Sequence, residues 1–338
     1  MFGNLVSKDD LPLLLEKLRQ GQGPRILRLL AAFTARQRVD RTWEVTESPP
    51  KHWGSLEAIQ RRWNVLATGD PSVTVYDHVA SRYLADRDDR VALSIACGTG
   101  AHEVRWARTG RFARIDGFDV SPQRIEDARE RALLEELSGV VHFNVADVRK
   151  LDVPPSSYDV VIALNALHHV SPLEPVIEWL GRVLKPDGLI VLRDYVGPDR
   201  FQWTPLQLKA ADELLATIPL RYRIRWGSGS VKKRIYRSGW LAMKLSDPSE
   251  AAESSRILPL LDGAFEHVER RNLGGTILHL VLKDIAHHFS TGDPKAETWL
   301  ERMMLVEDEL LANGEVESDF VFGVWRSRHP ERSEGPLP

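Results

Sequence analysis

Cysteine is almost absent from this chain of 338 residues, and its scarcity excludes two kinds of structure. The one cysteine, Cys97, can form neither an intrachain disulfide nor a cysteine-built metal cluster. Long apolar runs are also missing, since none approaches the ~20 residues that cross a bilayer. Residues 1–10 have neither the basic region nor the apolar core of a secretory signal. A cytoplasmic enzyme without membrane association is expected.

A large excess of charge of one sign is missing as well. The chain has 48 acidic and 45 basic residues, which gives a formal net charge of −3. Without a basic excess, nucleic acid is not an expected partner. Hydrophobic residues make up 43% and charged residues 28%, which is an ordinary composition for a globular enzyme. At this length we expect one sizeable core with additions, or two domains.

The first part of the chain, residues 1–88, carries helical patterns and no strand pattern. It is predicted to be a helical region or cap. Amphipathic stretches and breaks at Gly23–Pro24 and Pro49–Pro50 predict four helices, the first of them capped at Asp9–Asp10. These helices are expected near residues 10–20, 25–38, 55–64 and 73–84.

The pattern changes in residues 89–196, where short β-branched runs alternate with helical stretches. Strands are predicted over residues 91–96, 114–120, 140–145, 158–164 and 188–195. Helices are predicted over residues 100–108, 121–137 and 173–184. This alternation predicts an α/β fold: a doubly wound, Rossmann-like, mostly parallel sheet covered by helices on both faces.

The remainder of the chain is expected to complete the sheet and to extend the cap. Residues 197–262 are predicted to be a helical insertion, and residues 263–328 to hold the last two strands with a second helical insertion. These strands are placed at residues 265–270 and 319–325, which makes seven in all. Residues 329–338 are expected to form a flexible tail.

Ligands of an open parallel sheet bind beyond the carboxyl ends of its strands, near the switch in strand order. The first predicted strand ends in a turn with two glycines, Gly98 and Gly100, followed at once by a helix. Glycines let the backbone turn sharply and pass close to a ligand, and a helix N-terminus attracts negative charge. Alone, such a turn is equally compatible with a plain tight turn.

Three further strand ends carry polar residues in the right order. Asp119 follows the second strand and can accept hydrogen bonds from two ribose hydroxyls, although it or Ser121 can instead cap the next helix. Asp147 follows the third strand and can accept from an adenine amine, with a surface carboxylate as the alternative. Asn165 follows the apolar fourth strand, where the reacting end of a cofactor would lie.

With these four signals in order, the chain resembles the class I methyltransferases that depend on S-adenosylmethionine (SAM). The matching stretches are residues 93–100, 117–122, 146–148, 158–170 and 184–188. The resemblance spans about residues 91–196, is specific for the cofactor and is silent on the substrate. The cofactor-binding residues that it implies are Ala96, Cys97, Gly98, Thr99, Gly100, Asp119, Val120, Asp147, Val148, Asn165 and Ala166.

Two positions depart from the family pattern. Many relatives carry an acidic residue where Ser94 stands and a glycine where Ala96 stands. The change at Ala96 is mild, whereas Ser94 removes a carboxylate that often orients the loop. Glu103 is a candidate to take over that role.

Methyl transfer to an oxygen with a high pKa benefits from a general base, and histidine is suited to that task near neutral pH. His169, followed by His168, is the candidate base, and either Tyr195 or Asp194 at the end of the fifth strand is a candidate to position substrate. The alternative for His169 is a structural hydrogen bond. No metal site is predicted, because His279, His287 and His288 lack ligand spacing on one helix face.

Two other functions are alternatives to methyl transfer. A nicotinamide-dependent oxidoreductase would need a third glycine where Glu103 stands, and a carboxylate there would repel a pyrophosphate. A scaffold that binds SAM without transferring its methyl group is compatible with the same residues.

The acceptor is not encoded in any motif. Three separate helical segments suggest an enclosed site for a small molecule or sugar, with O-methylation favoured over N- or C-methylation. Residues 61–64 and 195–198 resemble a bacterial methyltransferase subgroup of poorly defined substrate, sometimes associated with glycan-building enzymes.

Overall fold

The computed structural model describes residues 6–23, 52–246 and 249–328. Its helices are α1 (Asp10–Arg19), α2 (Glu57–Thr68), α3 (Val75–Arg82), α4 (Ala101–Ala107), α5 (Pro122–Leu134), α6 (Glu174–Val183), α7 (Pro205–Thr217), α8 (Trp240–Ser246), α9 (Ile257–Ala264), α10 (Leu278–Leu282) and α11 (Pro294–Ala312). Its strands are β1 (Arg90–Ile95), β2 (Phe112–Asp119), β3 (Val141–Val145), β4 (Tyr158–Leu164), β5 (Leu184–Tyr195), β6 (Glu266–Gly274) and β7 (Phe320–Arg326).

The strands form one seven-stranded sheet in the order β3-β2-β1-β4-β5-β7-β6. The pairs β1–β2, β1–β4, β2–β3 and β4–β5 are parallel. The strand order reverses between β1 and β4, so the switch point of this doubly wound sheet lies there. The predicted α/β, Rossmann-like class is confirmed.

The chain forms two compact units. The sheet unit comprises Val73–Val196, Glu253–Arg271 and Val321–Pro338. The helical unit comprises Met1–Ser72, Gly197–Ala252 and Asn272–Phe320. The helical unit thus draws on three separate stretches of chain. Among the described residues, no helix is both long and apolar enough to cross a bilayer.

The core of the sheet unit follows from the apolar runs of its central strands. Every residue of β4 is buried, as expected for a parallel strand covered on both faces. One face packs Leu93 and Ile95 of β1 against Ile177 and Leu180 of α6. On α5, Ile125 is fully buried. The carboxyl ends of the strands are thereby held on a rigid base.

The predicted start of the fifth strand is wrong, for a local reason. Strand β5 begins at Leu184 rather than at residue 188, because the predicted turn is an irregularity within the strand. There Asp187 adopts a φ of 59°, and a Cβ on Gly188 would lie 2.9 Å from the Lys185 carbonyl oxygen.

The second helical insertion, predicted within residues 263–328, consists of α10, a short 3-10 turn over Ala286–Phe289, and α11. At the first helix, Asp9 makes no side-chain capping bond to α1. Its carboxylate instead accepts from Arg234 and from the Arg237 amide. The predicted helix over residues 25–38 and the predicted tail over residues 329–338 lie outside the described residues.

Candidate functional site

The turn after β1 is built from left-handed backbone conformations. Ala96, Gly98 and Gly100 have φ values of 49°, 56° and 72°. For Gly98 and Gly100 this conformation carries no steric penalty, whereas Ala96 adopts it with a Cβ. The Cys97 amide donates to the Phe118 carbonyl oxygen at 3.0 Å, which fixes the turn to the end of β2.

The two glycines of this turn serve different purposes. A Cβ on Gly98 would lie 3.3 Å from Arg124 Nη1, on the side chain of a residue in α5. A Cβ on Gly100 would lie 2.5 Å from Phe143 Cζ and 3.0 Å from Ala128 Cβ. Gly100 is therefore required by the packing of the turn against β3 and α5.

Asp119 holds the glycine turn directly. Its Oδ2 accepts from the Gly98 amide at 2.9 Å, and its Oδ1 accepts from the Ser121 amide at 2.9 Å. Ser121 itself caps α5, since its hydroxyl accepts from the Arg124 amide. Each carboxylate oxygen of Asp119 retains a further lone pair for a hydroxyl donor.

Ser94 and Glu103 form a buried pair beneath the turn. The Ser94 hydroxyl donates to Glu103 Oε1 at 2.6 Å, and both residues are 1% exposed. Burial raises the pKa of Glu103 to about 7. A side chain from α4 thus brings a carboxyl group to the position where the family pattern has an acidic residue. The hydrogen bond to Ser94 gives the acidic side chain at position 103 a structural role in the turn.

Asp147 is bound by a neighbouring guanidinium. Its carboxylate accepts from Arg149 Nε at 2.8 Å and from Arg149 Nη2 at 2.7 Å, and also from the Arg149 amide. The hydrogen bond from Arg149 lowers the pKa of Asp147. The Ala146 amide donates to the Asp119 carbonyl oxygen at 2.9 Å, so the ends of β2 and β3 are joined. The next residue, Val148, packs against the core.

The loop after β4 is organised by Asp194, which is fully buried. Asp194 Oδ2 accepts from the amides of Ala166 and Leu167 at 3.1 and 2.7 Å. Its Oδ1 accepts from the Tyr195 amide at 2.8 Å and forms a short contact with His168 Nδ1. This carboxylate therefore fixes both the backbone of the loop and the orientation of His168.

The two adjacent histidines have different surroundings. Burial lowers the pKa of His169 well below its ordinary value, and the nearby charges of His168 and Arg124 lower it further. His168, in contrast, has a carboxylate partner in Asp194. The Tyr195 ring is 2% exposed and lies edge-on to His168, with ring centroids 6.4 Å apart. The Asp194 carboxylate thus orients His168, and not His169, which the sequence favours as the base.

Sequence reasoning missed a polar chain at the switch point between β1 and β4. The Tyr76 hydroxyl lies 2.6 Å from His102 Nδ1, and His102 Nε2 lies 3.4 Å from Asn165 Nδ2. Asn165 is one of the predicted site residues, whereas Tyr76 and His102 belong to no motif. The one available signal was the position of His102, two residues after Gly100.

The site geometry and the sheet order define a class of protein that binds a nucleoside-containing cofactor at the switch point. Residues 92–188 match a family described as a methyltransferase domain. This segment is a methyltransferase domain of the class I, SAM-dependent type, and the cofactor of that type is SAM.

Three curated relatives are similar to parts of the chain. The 27-O-demethylrifamycin SV methyltransferase of Amycolatopsis mediterranei is 35% identical over 36% of this chain and 43% of its own length. The sterol 24-C-methyltransferase ERG6A of Gibberella zeae is 28% identical over 40% of this chain and 36% of its own length. The demethylmenaquinone methyltransferase of Leptospira interrogans is 27% identical over 56% and 74%. The chain therefore spans less than half of the first two relatives.

Proposed function

We propose that this chain transfers the methyl group of SAM to a hydroxyl oxygen of a small-molecule or sugar-type acceptor, with His168 as general base. The observation that carries the proposal is the buried Asp194 carboxylate, which holds His168 Nδ1 and the loop amides together. An aspartate that accepts from one imidazole nitrogen fixes the tautomer and stabilises the imidazolium once it forms.

The residues of the glycine turn fit the cofactor. Asp119 has lone pairs to accept from ribose hydroxyls while it fixes the Gly98 amide. Asp147 can accept from the adenine amine and keeps its ion pair with Arg149. Asn165 is exposed at the end of β4, where a cofactor in the switch-point crevice passes. Bound SAM supplies an electrophilic methyl group on a sulfonium.

The protein's own part in the reaction is to take up a proton. With Nδ1 facing Asp194, Nε2 is the ring nitrogen of His168 that can act as the base. Nε2 accepts the proton of the acceptor hydroxyl as the oxygen is methylated, and the Asp194 carboxylate offsets the charge on the ring. Tyr195, edge-on to His168, limits the directions from which an acceptor can approach.

Oxygen as the methyl acceptor is supported by the chemistry of this pair. A hydroxyl must lose its proton on methylation, and a histidine held by a carboxylate is suited to receive it. The name of one relative, a demethylrifamycin O-methyltransferase, points the same way. The name of a second, a sterol C-methyltransferase, supplies the alternative of carbon as acceptor.

The test has two parts, binding and turnover. Isothermal titration with SAM should show binding by the unsubstituted chain. Release of S-adenosylhomocysteine should then be followed with a panel of hydroxylated polyketide, glycoside and quinol acceptors. With any acceptor that turns over, His168→Ala should lower kcat at least about 100-fold, within the usual range for a lost general base.

The control is His142→Ala, because His142 is exposed on β3 of the same unit. Its turnover should match that of the unsubstituted chain. Loss of turnover in His169→Ala with full activity in His168→Ala would instead support the base that the sequence favoured. Binding of SAM with no turnover on the whole panel would favour a scaffold that binds the cofactor.

A further inference from the structure

We infer that Tyr76 and His102 are positioning residues of the cofactor site, which hold the Asn165 side chain at the mouth of the switch-point crevice. The inference rests on the proposed function, since it concerns the binding of SAM. The three side chains come from α3, α4 and the end of β4, and all belong to the sheet unit.

Packing contacts fix the orientation of the buried Tyr76 ring. The ring is 4% exposed and meets Trp106 edge-on, with centroids 5.1 Å apart. The guanidinium of Arg105 lies 5.7 Å from the centroid of the Tyr76 ring. These contacts fix the direction of the hydroxyl, which reaches His102 Nδ1 at 2.6 Å.

His102 is an uncharged link between two polar groups. Burial, together with the nearby charges of Arg193 and Arg105, lowers its pKa to about 3. A neutral imidazole has one donor nitrogen and one acceptor nitrogen. Because Asn165 Nδ2 can only donate, Nε2 is the acceptor of the contact at 3.4 Å, and Nδ1–H then donates to the Tyr76 hydroxyl.

The hydrogen bond between Asn165 and β5 fixes the backbone of Asn165 but leaves its side chain to be oriented by other groups. The residue adopts a left-handed conformation with a φ of 54°, and its amide donates to the Arg193 carbonyl oxygen at 2.8 Å. The side chain is exposed beyond the last residue of β4. An exposed amide loses rotamer freedom when it binds a ligand, and a partner that limits its rotamers beforehand reduces that loss.

The separation of 3.4 Å between His102 and Asn165 is long for a hydrogen bond. Contacts of this kind in ligand-free sites often shorten when the ligand binds. The chain of contacts thus links α3, at the start of the sheet unit, to the crevice. A tyrosine that served only the core would not influence the affinity for SAM once its ring packing was preserved.

The experiment uses Tyr76→Phe, which retains the ring and removes the hydroxyl. Isothermal titration should show a dissociation constant for SAM raised about five-fold, the size of one modest hydrogen bond. The midpoint of thermal unfolding should stay within about 3 °C. The matched control is Tyr83→Phe, which removes a phenol bond of 2.8 Å to Glu269 in the same unit. Its dissociation constant should be unchanged.

A double-substitution cycle tests whether Tyr76 acts through Asn165. In the Asn165→Ala background, Tyr76→Phe should change the dissociation constant less than two-fold. Independent effects of the two substitutions, or an unaltered constant in Tyr76→Phe alone, would overturn this inference and leave the proposed function standing. Failure of the unsubstituted chain to bind SAM would overturn both.

Discussion

Asp119 combines two tasks within one carboxylate. The sequence suggested either a ribose ligand or a helix cap, and the structure assigns the cap to Ser121. Asp119 nevertheless remains structural, because Gly98 and Ser121 donate their amides to it. A substitution here is therefore expected to disturb the turn as well as the proposed contact with the ribose.

At this residue we expect Asp119→Ala to weaken SAM binding by at least about 1.5 kcal/mol, since hydrogen bonds to a charged group are lost. Asp119→Asn keeps one acceptor oxygen, so its affinity for SAM should lie between those of Asp119→Ala and the unsubstituted chain. Titration calorimetry measures both, with Asp127→Ala on the exposed face of α5 as control. An unchanged affinity in Asp119→Ala would remove the ribose assignment.

The elements that the sequence predicted well are those whose signal is local. Tyr158 to Leu164 is an uninterrupted apolar run, and β4 has those bounds. The positions of Gly98, Asp119 and Asn165 at strand ends likewise predicted that these residues lie at one edge of the sheet. Parallel strands bring their carboxyl ends to one edge, so spacing along the chain becomes proximity in space.

What the sequence did not predict depends on contacts between distant segments. The sequence ranks His169 above His168, because nothing in it shows which histidine faces Asp194. Nor does the sequence show which cations of the basic stretch 221–234 are buried. Arg225 is 6% exposed near Glu16, and Lys232 is 4% exposed. Burial of a cation requires a partner that only the fold supplies.

Helix α10 is the clearest case of such support. At its N-terminus, Glu307 accepts from the amides of Ile277 and Leu278 at 2.8 and 2.9 Å. At its C-terminus, Lys232 Nζ donates to the carbonyl oxygens of Leu280, Val281 and Lys283 at 2.7, 3.0 and 2.7 Å. A helix of five residues is too short to be stable by itself, so these hydrogen bonds at its ends stabilise it. Burial lowers the pKa of Lys232 to about 7, so its protonation contributes to this support mainly below neutral pH.

We therefore expect Lys232→Met to lower the free energy of unfolding by about 2–4 kcal/mol, because buried carbonyl oxygens lose their donor. Urea denaturation followed by circular dichroism provides the measurement. The neighbouring Lys233 is exposed, and Lys233→Met should stay within about 0.5 kcal/mol of the unsubstituted chain. Equal stability of the two variants would show that the ammonium contributes nothing to α10.

At the scale of the whole molecule, each compact unit has among its described residues a buried carboxylic acid whose pKa is raised by desolvation. Glu103 in the sheet unit has a pKa of about 7. Asp319 in the helical unit is 3% exposed and receives Gln207 Nε2 at 3.2 Å, and its pKa is about 8. Both acids are protonated in the folded chain at a pH where the unfolded chain has ionised them.

These two groups contribute stability that is fully present below pH 4 and is lost as the pH rises through their folded values of about 7 and about 8. Their contribution to the midpoint of thermal unfolding should therefore fall between pH 5.5 and pH 8.5. His102 and His279, whose pKa values burial lowers to about 3, act in the opposite direction while the histidines of the unfolded chain titrate near 6.5. Glu103→Gln keeps an acceptor for Ser94, and Asp319→Asn keeps one for Gln207. Over this interval the midpoint of the double variant should consequently rise relative to that of the unsubstituted chain. Glu309→Gln, on an exposed position of α11, should retain the pH dependence of the unsubstituted chain. Parallel slopes in all three proteins would mean that neither acid holds its proton in the folded state at neutral pH.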